Sequence, residues 1–171
     1  MNTLFQKLEQ SAGKRNPTLL KGLAPGLPER EIREALETCG IEGHLDILIT
    51  IYTWKNGSTL DAGPLEEASF FPESIYIFLS LEMALSNLES FTALEIHPLL
   101  ENIGQRYFPV FWDYGNSYLM VDLKEGYQSR VMLLMPESDQ PLQEAYSSFE
   151  EFLCDAVRAN ELNEPLKCFQ I

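Results

Sequence analysis

The sequence predicts an α+β fold in which an antiparallel sheet of about four to six strands, ending in a C-terminal meander, carries helices packed on one side. Three observations predict it. The N-terminal third repeats apolar side chains at helical spacing. Residues 107–135 hold three short runs of aromatic and β-branched residues, separated by glycine-bearing turns. Helical spacing then returns after Ser147-Ser148. With 171 residues, 45% of them hydrophobic and 11% aromatic, the chain has apolar surface enough for one core, and a single domain is expected.

In order, Leu4, Phe5, Leu8 and Ala12 predict a helix over residues 2–15, with Asn2 as its cap and Gly13 to Pro17 as its end. Two glycines and two prolines between Leu19 and Pro28 predict an irregular connection. A second helix starts near Pro28, whose missing N–H suits a first turn. It carries the stripe Ile32, Ala35, Leu36 and Cys39 and stops at Gly40. A third covers Glu42 to Trp54, is apolar on most of its surface, and is expected to close at Asn56-Gly57 in a left-handed conformation.

Ser69 to Leu79 reads as the first strand or strands. Ser80 caps a helix with the stripe Leu81, Ala84, Leu85 and Leu88. The strands Tyr107–Trp112, Tyr118–Leu123 and Arg130–Met135 follow, reversed at Asp113-Tyr114-Gly115-Asn116 and at Lys124-Glu125-Gly126-Tyr127, where glycine supplies the tight turns. After Pro136 a polar loop leads to a last helix, capped by Ser147 or Ser148, whose core face is Phe149, Phe152, Leu153, Ala156 and Val157.

Charge narrows the function. The net charge is −14: residues 1–33 hold six basic and three acidic groups, a net +3, and residues 34–171 hold six basic and 23 acidic groups, a net −17. Such a body repels phosphate backbones and anionic lipid, so no nucleic acid or membrane partner is expected, whereas a basic protein is attracted. No run of about 20 apolar residues and no signal-peptide pattern occurs, which places the protein in the cytoplasm, with Cys39, Cys154 and Cys168 as reduced thiols.

Chemistry finds few carriers. His44 and His97 are the two histidines, and neither has a partner at ligand spacing. The chain lacks C-x-x-C, H-x-x-x-H, G-x-S-x-G, G-x-x-x-x-G-K-[ST] and G-x-G-x-x-G. Glu66-Glu67 and Glu150-Glu151 are adjacent pairs, which diverge in direction and so do not make an acid/base pair. No catalytic residue, metal or cofactor is therefore expected. Tyr114 and Tyr127 sit in turns, where aromatic rings are least buried; with Asp113 and Glu125 beside them they are the candidate partner-binding residues.

The order Ala24-Pro25-Gly26-Leu27, Glu31-Ile32, Leu36, Gly40-Ile41 and Ile51-Tyr52-Thr53-Trp54-Lys55-Asn56-Gly57 resembles the opening of the SUKH superfamily. That superfamily includes the fungal Smi/Knr cell-wall regulators and many bacterial immunity proteins. Ser80 to Ala84, Phe108-Pro109-Val110-Phe111, Gly115 to Tyr118, Val121-Asp122-Leu123 and Ser148-Phe149-Glu150-Glu151-Phe152-Leu153 are similar to its later segments, so the resemblance spans about residues 22–157. These signposts are also architectural. Trp54 fills core, Asn56-Gly57 closes a helix, Gly115 makes a turn and Pro109 shapes a strand start, so they indicate a fold more than a function. The resemblance implies a non-enzymatic module, monomeric or weakly dimeric, that neutralises a toxin, often a nuclease, by binding it. A regulatory scaffold of the Smi/Knr kind is the alternative.

Overall fold

The N-terminal stripe becomes helix α1 (Asn2–Arg15) in the computed structural model, which describes residues 1–58, 69–93, 103–124 and 128–169. Phe5, Leu8 and Ala12 are buried, as their spacing requires. Asn2 is not the cap. The helix starts one residue earlier, with the Met1 carbonyl accepting from the Leu4 and Phe5 amides, so Asn2 already lies in the first turn. The next Asx residue does cap: Asn16 Oδ1 accepts from the Thr18 and Leu19 amides, each at 3.2 Å, and starts α2 (Pro17–Lys21). The expected irregular connection thus contains a helical turn and then strand β1 (Leu23–Pro25). Asn-Pro, a cap followed by a residue with no N–H to satisfy, is its local cause.

Helix α3 (Glu29–Thr38) buries Ile32 and Leu36 and ends where Gly40 takes φ +66°. Cys39, expected on the buried stripe, is exposed because it is the C-cap and has left the helical face. Helix α4 (Asp46–Trp54) begins four residues later than expected. The intervening Gly43 adopts φ +109°, and the His44 amide donates to the Leu123 carbonyl at 2.9 Å, tying this stretch to the sheet instead of to a helix. Ile47, Leu48, Ile49, Ile51 and Tyr52 of α4 are all buried.

The expected closure at Asn56-Gly57 is replaced by a direct turn from α4 into strand β2 (Lys55–Ser58), which pairs antiparallel with β1. Gly57 has the left-handed φ, +83°, but inside the strand. Its Cα lies so near the next helix start that a Cβ would sit 2.3 Å from the Ser80 nitrogen. Gly26 is packed in the same way, since a Cβ there would meet the Thr53 carbonyl at 1.9 Å.

Of the stretch 69–79 only Ile77–Phe78, strand β3, joins the sheet. Helix α5 (Leu81–Ala93) and the short α6 (Ile103–Arg106) precede β4 (Tyr107–Trp112), β5 (Tyr118–Asp122), β6 (Val131–Leu134) and β7 (Leu142–Tyr146), and α7 (Phe149–Leu162) closes the order. The five-stranded sheet runs β3-β4-β5-β6-β7, antiparallel throughout. The α+β class and the meander are as the sequence predicts. Strand β7 falls where a polar loop is expected. It buries only Tyr146, so its sequence shows no alternation.

Every residue of β5 and β6 is buried, so both faces of the central strands are covered. On one face Phe70, Phe71, Phe78, Phe111 and Phe152 pack ring against ring; on the other, Phe91 of α5 meets Tyr118 edge-on at 4.8 Å. Helix α7 bears on α1 through Phe149 and Phe5, and Trp54 stacks on Phe5 at 4.4 Å. Among the described residues no helix is long and apolar enough to cross a membrane.

Candidate protein-docking surface

In a meander, alternate turns fall at the same end of the sheet. The β4–β5 turn (113–117), the β6–β7 turn (135–141) and the segment entering β3 (69–76) therefore share one end, fixed by the pairings Ile77 with Trp112, Trp112 with Tyr118 and Tyr118 with Leu134. This end gathers Glu73, Asp113, Glu137 and Asp139, and none of the three segments contains a lysine or arginine. It also carries two large exposed apolar side chains, Ile75 at 44% and Tyr114 at 42% exposure.

Tyr114 is held, not loose. Asp113 Oδ1 accepts from the Gly115 and Ser117 amides at 2.8 and 3.0 Å, closing the turn as an Asx cap. Trp112 Nε1 donates to the Gly115 carbonyl at 2.8 Å. The indole stacks on the Tyr114 ring at 4.5 Å and on the Tyr118 ring at 6.2 Å. The left-handed residue of the turn is Tyr114, at φ +64°, and not the expected Gly115. An L side chain in that conformation costs about 1–2 kcal/mol. Glu73, at φ +54°, is a second such residue at this end of the sheet. Strained backbone held by its surroundings is a recurrent property of functional loops.

The negative field reaches neighbouring groups. Burial pushes the Tyr76 hydroxyl up and the Asp113 charge pushes it further, against a hydrogen bond with Ser117. Burial and then Asp113 raise Tyr118 likewise. Across the turn Asn116 Nδ2 donates to Glu137 Oε1 at 2.8 Å, joining the two reversals.

Of the four sequence-predicted binding residues, Asp113 and Tyr114 lie on this surface. Glu125 and Tyr127 lie outside the described residues, as do Glu66, Glu67 and His97. Lys124 and Gln128, which bracket Glu125 and Tyr127, fall at the opposite end of β5, a strand about 14 Å long. Ile75, Glu73, Glu137 and Asp139 were not legible as site residues, since only strand pairing brings their segments beside Tyr114.

Family-like positions other than Pro25 make packing or hydrogen-bond contacts. Trp54 Nε1 donates to Glu9 Oε1 at 2.6 Å, Pro109 is buried at a bulge in β4, and Phe149 and Phe152 are buried in α7. Asn56 Oδ1 accepts from the Leu81 amide at 2.9 Å, and Ser80 Oγ from the Met83 amide at 3.2 Å. Pro25 is exposed at the end of β1.

Two buried carboxylates also anchor structure. Asp122, fully buried, takes both oxygens to Arg106 at 3.0 and 2.8 Å, with Arg130 at 3.2 Å and the Lys124 amide at 3.0 Å. Burial alone would raise this carboxyl, but these hydrogen bonds and the two guanidinium charges hold it below the ordinary carboxylate range. Asp155 accepts from Tyr146, the Lys167 amide and Arg158; burial is again outweighed and the group is again held low. Carboxylates kept ionised in this way are poor general acids at neutral pH.

A cavity of about 510 Å³ beside Asp122 is lined, among the described residues, by Gly40, Glu42, Gly43, Gln105, Arg106, Leu123 and Lys124, of which Glu42 alone is a carboxylate. Among the described residues no group of three or more His, Cys, Asp or Glu is placed to hold a metal ion. Compared with models of known protein families and with curated proteins, the chain matches none.

Proposed function

We propose that the protein is a non-enzymatic, SUKH-like binding module of the cytoplasm, monomeric or weakly dimeric. In this reading it is an immunity protein that docks on a basic toxin domain, such as a nuclease, through the sheet end bearing Glu73, Ile75, Asp113, Tyr114, Glu137 and Asp139. One observation carries the reading: two exposed apolar anchors sit among four carboxylates, in three segments without a single basic residue. Aromatic anchors supply affinity at protein interfaces, and a surrounding field of one sign speeds encounter with a partner of the other. A nuclease cleft, built to attract phosphate, is such a partner. An acidic, ring-bearing end can cover it.

The test is binding to a toxin domain encoded beside this gene. Association is expected to slow about tenfold between low and physiological salt, and to slow comparably in the double variant Glu73→Lys, Asp139→Lys. Salt-independent association, or a double variant that binds as the wild type does, would remove the electrostatic basis. A gene with no toxin neighbour, whose product is captured with housekeeping proteins, would favour the regulatory scaffold.

A further inference from the structure

We infer that the open face of Tyr114 is the seat for an arginine side chain of the partner, an assignment that rests on the docking surface proposed above. The ring has two faces. One lies on Trp112, 4.5 Å away and within 18° of parallel, while the residue stays 42% exposed. Trp112 stacks in turn on Tyr118, and Phe91 backs Tyr118, so the tower of rings starts in the core and ends at Tyr114. The Asx turn and the indole hydrogen bond fix it there before any partner arrives, so little freedom is lost on binding.

What such a terminus accepts is decided by charge. A bare aromatic face takes any flat apolar group, but every charged side chain that the three segments themselves carry is a carboxylate. Asp113 precedes the ring, Glu137 is tied to the same turn through Asn116, and Asp139 and Glu73 stand on the adjoining segments. Asp113 and Glu137 each use one oxygen within the turns. A planar cation fits both conditions. Guanidinium stacks on an aromatic face through the ring quadrupole, is weakly hydrated, and presents N–H groups in its own plane to a carboxylate beside the ring.

The experiment titrates the ¹⁵N-labelled full chain with a terminally blocked Gly-Arg-Gly peptide and with its citrulline counterpart, which keeps the shape and loses the charge. The Trp112 indole N–H resonance is read, and the Trp54 indole serves as internal reference. The arginine peptide is expected to shift Trp112 and not Trp54, and citrulline to leave both in place. Tyr114→Leu should weaken the response about two- to fivefold, while Tyr114→Phe, which keeps the ring, should preserve it. Equal shifts from both peptides, or an undiminished response in Tyr114→Leu, would overturn the assignment. That failure is separable from failure of the docking reading. Toxin binding weakened by Glu73→Lys, Asp139→Lys with no arginine response sinks only the seat. An arginine response without toxin binding sinks only the docking partner.

Discussion

At the scale of single residues, the most telling position is one whose local energetics nearly cancel. Tyr114 costs about 1–2 kcal/mol by occupying the left-handed region, and its stacking on Trp112 returns about 0.5–1.5 kcal/mol. Stability therefore gives little reason for a tyrosine there, where asparagine would fit the turn. Tyr114→Asn is expected to change the unfolding free energy by less than about 1 kcal/mol, measured by urea titration. It should weaken docking at least about tenfold. A large loss of stability with binding intact would mark Tyr114 as a packing residue. Asp113, beside it, closes the turn through its own carboxylate, so its replacement would confuse folding with binding. Glu73 and Asp139, exposed on separate segments, are the cleaner probes.

At the scale of elements, the junction of β2 with α5 explains why Asn56-Gly57, whose chemistry reads as a helix ending, serves another element. The dipeptide follows α4 in sequence, and its chemistry suits a helix C-terminus. Its side chain and its missing Cβ act instead on a helix that begins 25 residues further on, where Asn56 satisfies an orphan N–H and Gly57 allows the backbones to meet. Asn56→Ala is expected to cost about 1 kcal/mol, as for other caps. Gly57→Ala, which combines a positive φ with a 2.3 Å approach to backbone, should cost about 3 kcal/mol or more. Chemical denaturation of both variants checks the order; equal, small losses would show that β2 and α5 are not braced in this way. Strand β7 likewise takes its meaning from a partner outside its own segment. Tyr146 alone of its five residues is buried, so neither face of Leu142–Tyr146 carries an apolar alternation, and its pairing with β6 is what makes it a strand.

At the scale of the whole molecule, the two buried carboxylates decide how it meets acid. Asp122 is held below its unfolded value, near 4, so the unfolded chain takes up its proton first as pH falls. The stabilisation is complete above about pH 5 and is lost as pH drops through 4 toward the folded value. Asp155, also held low, adds to the same limb. Asp122→Asn leaves Arg106 and Arg130 without their shared carboxylate and should cost about 3 kcal/mol at neutral pH. It should also flatten the acid limb, which urea midpoints from pH 7 to 2.5 would reveal; an unchanged limb would place the acid sensitivity elsewhere. The sequence by itself determined the α+β class, the three central strands, most helix faces and the net charge, because periodicity, turn chemistry and composition are local properties that need no partner to be read. Only the tertiary structure decided which turns share an end of the sheet, and so that the segments bearing Glu73, Ile75, Glu137 and Asp139 lie at the same end as the Tyr114 turn. Strand register sets those neighbours, and register is a relation between distant segments that no single segment encodes.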